Sequence, residues 1–146
     1  MRRYFTLDEA HEQLPSVAED IREAVSLKSQ FVAAEAELQK LLTRIAVMGG
    51  TVIDREPIAA AKHQRDQTSR NLKATIERVN SYGCLLKDLD IGLLDFPTLY
   101  RGREVYLCWK LGEPGIEYWH GVSEGYQGRK KIDQDFIDHH KGDPIV

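Results

Sequence analysis

From Leu7 onward a stripe recurs at alternating steps of three and four residues: Leu7, Ala10, Leu14, Val17, Ile21, Ala24, Lys28, Phe31, Glu35, Leu38, Leu42 and Ile45. Ten of these twelve are apolar, the exceptions being Lys28 and Glu35. That spacing places them on one face of a helix, so the pattern predicts a single long helix ending near Gly49-Gly50. Its start is marked by a capping box, in which Thr6 and Glu9 can each satisfy an amide of the first turn. Phe5 and Ala10 flank the box as a small hydrophobic staple. Pro15 falls early in the stripe and should kink the first turns or split them off as a short helix.

Gly49-Gly50-Thr51 opens a loop, and Glu56-Pro57 suits the start of a second helix, where proline is tolerated. Ile58, Ala61, Leu72, Ile76, Val79 and Tyr82 mark its inner face, and Gly83 its stop. Two long helices with a short connection make an antiparallel hairpin. Helix one should be about 60 Å long and helix two about 40 Å. The unmatched stretch, Leu7 to about Ile21, needs another cover, which the remaining chain can supply. The middle of helix two, His63 to Asn71, has no large apolar residue and faces Glu35 and Glu37 across the hairpin. A lone hairpin buries little, so the exposed sides of this coiled-coil-like arm predict a homo-oligomer, most simply a dimer, through the helices.

After Gly83 the period changes. Residues 84–88 suit a strand, Gly92 breaks the run, Leu93–Phe96 precedes Pro97, and Arg101-Gly102-Arg103 reads as a turn. Glu104 to Leu111 alternates as a strand. Glu113-Pro114-Gly115-Ile116 has the residues of a type II turn, and Ile116 to Val122 would return as the partner. Pairing Leu111 with Ile116 sets Trp109 against Tyr118 and Leu107 against His120. Val105, Leu107, Trp109, Tyr118, His120 and Val122 then share the more apolar face, which would pack on the early part of helix one. A slip of one residue would exchange the faces.

The predicted class is α+β: a long helical hairpin (4–83), a β-rich segment (84–131) packed at its base, and a polar, loosely held C-terminal tail (132–146), all within one domain. The 146 residues suffice for one core. A net charge of −3, with neither half strongly basic, disfavours general nucleic-acid binding. No stretch is long and apolar enough for a membrane span, and Tyr4–Glu9 follows the basic start where a leader would be apolar. These features predict a cytoplasmic protein, in which Cys84 and Cys108 are reduced thiols, one or both of them buried.

The residues able to carry chemistry concentrate in the second half. Asp88, Asp90, Asp95, Glu113 and Glu117 are carboxylates, Trp109 and Trp119 are large aromatic surfaces, His120 titrates near neutrality, and Arg129 lies in a glycine-rich basic stretch with Lys130 and Lys131. Together they form a candidate ligand-binding set. Asp88 and Asp90 with His120 could hold a divalent metal ion as cofactor, although no known metal-site spacing occurs. The alternative for the acids is turn capping and pairing with Arg101, Arg103 and Lys110. His120 is open to two readings: a buried imidazole bonded to a carbonyl or carboxylate, or a ligand or general acid/base. No arrangement of nucleophile and base matches a known motif.

Four segments, D-L-D-I-G-L-L-D-F-P at 88–97, L-C-W-K-L-G-E at 107–113, Y-W-H at 118–120 and G-Y-Q-G-R at 125–129, with Y-F-T-L-D-E-A-H-E-Q-L-P at 4–15, resemble a bacterial family of small proteins catalogued only as a domain of unknown function. The resemblance spans about residues 4 to 131. It implies a cytoplasmic protein with a helical part followed by the acidic and Trp-His segment, and brings no activity and no catalytic residues. Two function classes therefore stand. One is a non-enzymatic oligomerisation or interaction module, with a further protein partner; the other is a small-molecule- or metal-binding enzyme. An interaction module should have most of its acids in salt bridges and a large apolar interface on its helices. An enzyme should gather them with His120 in one concave pocket.

Overall fold

The computed structural model describes residues 2–48 and 54–144. The loop expected at Gly49–Thr51 lies outside the described residues. Helix α1 spans Leu7–Met48 and α2 spans Glu56–Ser81, packed as a hairpin. The capping box is formed: the Thr6 amide donates to Glu9 Oε1 (2.9 Å) and the Glu9 amide to Thr6 Oγ1 (3.1 Å). Helix α1 continues through Pro15 as one element, so proline does not set off a separate short helix. Gly83 stops α2 in the left-handed conformation, φ +94°.

The apolar stripe of α1 is followed as far as Ala24 and then shifts by one residue. Leu27 and Ala34 are buried in place of Lys28 and Glu35, Leu38 is buried as the stripe predicts, and Leu42 is exposed. The shift frees both polar exceptions. Lys28 reaches out to pair with Asp90, and Glu35 meets Arg65 of α2 at 3.3 Å on the flank of the seam. The seam residues of α2 are Ala61, Thr68, Thr75 and Val79, small or partly polar side chains that let the helices approach closely.

The β half is an antiparallel sheet with the order β1 (Leu85–Asp88), β2 (Leu93–Tyr100), β3 (Arg103–Lys110), β4 (Tyr118–Gly121), β5 (Lys130–Lys131). Strand β6 (His140–Lys141) adds to the edge of β2 that β1 occupies farther along. Arg101 (φ +52°) and Gly102 (φ +79°) form the two-residue turn between β2 and β3. Two positive φ values in succession are what a tight hairpin of this twist requires, and the turn fixes Asp95 opposite Cys108. Pro97 lies within β2. Its carbonyl accepts from the Phe5 amide (2.7 Å) in the gap between β1 and β6, so its missing N–H costs no ladder bond.

Leu94, Phe96, Val105, Leu107 and Trp109 share a face of the sheet and form the core with Ala10, Leu14, Val17, Ala18 and Ile21 of α1. The unmatched part of helix one is covered by the β half, as its length requires.

The pairing of β3 with β4 corrects the predicted register by one residue. Leu107 faces Trp119, Tyr106 faces His120 and Cys108 faces Tyr118. The reversal begins at Leu111-Gly112, where the Glu113 amide bonds the Lys110 carbonyl and Gly112 takes φ +100°, not at Pro114-Gly115. Trp119 thus turns toward the core side, while Tyr118 and His120 turn to the other face. Val122, expected on the apolar face, lies beyond β4 and is exposed.

The C-terminal stretch corrects a second expectation. In place of a loosely held polar tail, Gln134–His139 forms helix α3. Phe136 is fully buried and stacks between Trp119, Tyr100 and His140. The Leu7 amide bonds His140 Nε2 (2.9 Å) and the Asp143 amide bonds the Tyr4 carbonyl (3.0 Å).

Candidate functional site

Alternation along a strand sends every second side chain to the face away from the helices. On that face β2 contributes Asp95, β3 contributes Tyr106 and Cys108, and β4 contributes Tyr118 and His120. Asp95, Cys108 and His120 are all buried. Long side chains cover this side: Lys87 Nζ lies 5.0 Å from the centre of the Tyr106 ring, and the Arg129 guanidinium lies 4.0 Å from that of Tyr118.

The centre of the group is a buried histidine–carboxylate pair. His120 Nε2 is 2.9 Å from Asp95 Oδ1, and His120 Nδ1 is 2.8 Å from the Gly121 carbonyl oxygen. Of the two readings of His120, the bonding pattern of the first, to a carbonyl and a carboxylate, is present. Burial pulls the imidazole pKa down, but the bonds to Asp95 and Gly121 favour the charged ring and raise it overall, against a smaller opposing effect of Lys87. Burial, reinforced by the Asp95 charge, pushes the Cys108 thiol up to about 12, so it is a protonated thiol at neutral pH. One acceptor in the group, Asp95 Oδ2, is buried without a hydrogen-bond partner.

The other sequence candidates have separate placements. Asp88 Oδ1 accepts from the Asp90 amide (2.9 Å) in an exposed turn, and Asp90 pairs with Lys28. Neither is gathered with His120: among the described residues, the histidine, cysteine and acidic side chains that converge as a possible ligand set are Asp95, Cys108 and His120. The metal set Asp88, Asp90 and His120 is corrected accordingly. The pleat explains the difference, since Asp88 and Asp90 lie at and beyond the end of β1 and His120 lies inward on β4. Glu113 accepts from the Lys110 amide (2.7 Å) and binds Arg129 (2.6 Å), whose side chain is only 8% exposed. Trp109 belongs to the core and donates its Nε1 to the Glu113 carbonyl. Trp119 packs on Phe136, while Glu117 is exposed. Lys130 pairs with Glu124, so the glycine-rich basic stretch spends two of its cations, Arg129 and Lys130, within the fold.

A cleft of about 580 Å³ opens at the turn end of the sheet, lined by Tyr100, Arg103, Val105, Trp119, Val122 and Glu124 among others. Asp95 and His120 do not line it, so imidazole and acids do not share a concave pocket there. Cys108, read from sequence as a reduced thiol, is the group's overlooked member. The signal was present: a two-residue turn at Arg101-Gly102 sets Asp95 opposite Cys108 by counting outward.

A model of the family described as an uncharacterized conserved protein (DUF2203) matches residues 3–132. The chain belongs to the DUF2203 family. No curated protein and no solved structure matches it. The DUF2203 match takes in both helices and strands β1 to β5, and with them Asp95, Cys108 and His120; helix α3 and β6 lie beyond it. Among the described residues no helix is long and apolar enough to cross a membrane.

Proposed function

We propose that this DUF2203 protein is a non-enzymatic association module that forms a homodimer through the outer half of its helical hairpin. The observation that carries the reading is the mismatch between what that arm buries and what it leaves open. Its seam has one large buried apolar residue, Leu38, beside the small Ala34, Ala61 and Thr68. Val32 and Leu42, by contrast, stand 57% and 39% exposed on α1. Ala33, Leu41, Pro57 and Ala60 border an open apolar groove along the hairpin. A two-helix arm with so small a seam gains by laying these surfaces against another hairpin, as in a four-helix bundle.

Part of the acid set agrees with the same reading, while Asp88 caps a turn and Asp95 pairs with His120. Asp20, Glu23, Glu35, Asp90, Glu104, Glu113, Glu124 and Asp135 are all held in ion pairs with basic side chains. A further protein partner would use the same exposed faces.

Sedimentation equilibrium over a wide concentration range tests the proposal. A particle of twice the 16.7 kDa chain mass is expected, and Val32→Lys/Leu42→Lys should dissociate it with helicity retained. A wild-type protein that sediments as a monomer at every concentration overturns the reading.

A further inference from the structure

The buried group on the outer sheet face gathers a nitrogen, an oxygen and a sulfur around a position that either a proton or a metal ion can occupy. A carbonyl oxygen carries no proton, so His120 Nδ1 must donate the hydrogen to Gly121. In a neutral ring that choice leaves a lone pair on Nε2, aimed at Asp95 Oδ1 from 2.9 Å. Two electron-rich atoms at that distance need a positive charge between them: a proton on Nε2 in the metal-free protein, or a metal ion in its place. Asp95 Oδ2, equally buried, has no donor. Cys108 Sγ completes the group: one imidazole nitrogen, one carboxylate oxygen and the sulfur all lie within 4.8 Å of one another.

We infer that Asp95, Cys108 and His120 form a binding site for a divalent transition-metal ion of the zinc class. The ligands would be a carboxylate oxygen of Asp95, Sγ of Cys108 and Nε2 of His120. Zinc takes this mixture of oxygen, sulfur and nitrogen at bond lengths of about 2.0 to 2.3 Å, and tetrahedral ligands then sit about 3.3 to 3.7 Å apart. Nε2 and Oδ1 are 2.9 Å apart and no pair of the ligand atoms is farther apart than 4.8 Å, so side-chain movements of about an ångström suffice. The second shell is already in place, because a metal-bound histidine commonly donates its other N–H to a backbone carbonyl, which fixes the tautomer.

Charge balances as well. The ion brings two positive charges, the carboxylate and thiolate two negative ones. The protons otherwise held at Nε2 and Sγ leave to solvent as the ion enters. The nearby Arg129 cation is offset by Glu113 at 2.6 Å. Sulfur and imidazole ligands, with one carboxylate, select against calcium and magnesium. Three protein ligands leave a fourth position for water or another group.

Cobalt(II) is the probe, since a thiolate-bound cobalt ion absorbs in the near ultraviolet and a tetrahedral one absorbs strongly in the visible. The chain has two cysteines, and Cys84 is bonded to the Val79 carbonyl (3.3 Å) in the core, which lets the source of any thiolate band be assigned. Titrating metal-free full-length protein with cobalt should give both bands with an endpoint of one ion per chain. Zinc should abolish them by competition. Cys84→Ala should retain the thiolate band and Cys108→Ala should lose it, each checked for folding by circular dichroism. If Cys108→Ala does not fold, Cys108→Ser takes its place. Absence of a thiolate band in wild-type protein overturns the assignment, and so does a band that survives loss of Cys108 or disappears with Cys84. Cobalt bound at exposed histidines such as His63 or His139 would give no sulfur band, and that outcome alone also counts against the site.

Discussion

The Ile116 amide donates to Nε2 of His11 over 3.0 Å, joining the connection between β3 and β4 to the second turn of α1. This bond holds the connection open. With Ile116 drawn to the helix and the Lys110 amide bonded to Glu113, the strands cannot close on a two-residue turn, and pairing resumes at Tyr118. Replacing His11 by Ala leaves the Ile116 amide without its partner. A loss of about 0.5–1.5 kcal/mol is expected, read as a lower urea midpoint at unchanged slope. An unchanged midpoint would show that the bond adds nothing to the register.

Phe136 predicts a larger effect. It is fully buried within an aromatic stack of Trp119, Tyr100 and His140. Phe136→Ala should cost about 3–5 kcal/mol, the usual range for emptying such a site. Chemical denaturation measures it, and a loss below about 1 kcal/mol would return the C-terminal stretch to the status of a dispensable tail.

Gly142 sits against the capping box of α1. A Cβ there would lie 2.6 Å from Glu9 Oε1 and 2.9 Å from the Thr6 amide nitrogen. Gly142→Ala should therefore destabilise by about 1–3 kcal/mol through crowding of fixed backbone. Limited proteolysis should show faster cleavage between Asp133 and Asp143 in the variant than in the wild type.

His120 sets a pH dependence in metal-free protein. Its folded pKa lies above the unfolded value of about 6.5, because the bonds to Asp95 and the Gly121 carbonyl outweigh burial and the opposing Lys87 charge. The folded state then holds the proton more tightly than the unfolded chain. The stabilisation is complete below about pH 6.5 and is lost as pH rises through the folded value. Thermal unfolding in chelator should show the melting temperature falling over that window, with a flatter profile in Asp95→Asn. A melting temperature that rises with pH there would contradict the arrangement.

The helical half was legible because its signals are local and repeated. The stripe from Leu7 to Ala24, the Thr6–Glu9 box and the Gly83 stop each declare themselves within a few residues. The shift after Ala24 was not, because Lys28 and Glu35 are compatible with a seam until their partners Asp90 and Arg65 are known. Strand β3 was legible from its alternation, whereas its pairing with β4 turned on one residue and on a bond to His11 over a hundred positions away. Helix α3 was hidden because its burial rests on Phe136 among acids and histidines, its apolar neighbour Ile137 being exposed. For the site, His120 and Asp95 were both named, but nothing local joins them. The turn at Arg101-Gly102 brings Asp95 to Cys108, and only the corrected pairing of β3 with β4 adds His120.

One edge of β2 is completed by three stretches remote from one another in sequence: β1 at its start, Phe5 bonded to Pro97 in the middle, and β6 at its end. The helical hairpin, by contrast, closes on residues that follow one another. Folding speed falls as the chain must search for contacts across greater separations. The molecule should thus acquire its structure in two stages, with a fast rise of helical signal and a slower burial of the tryptophans. The late stage cannot finish until residues near 140 have met residues near 5. Until then Asp95 and His120 sit on an incomplete sheet, exposed to solvent.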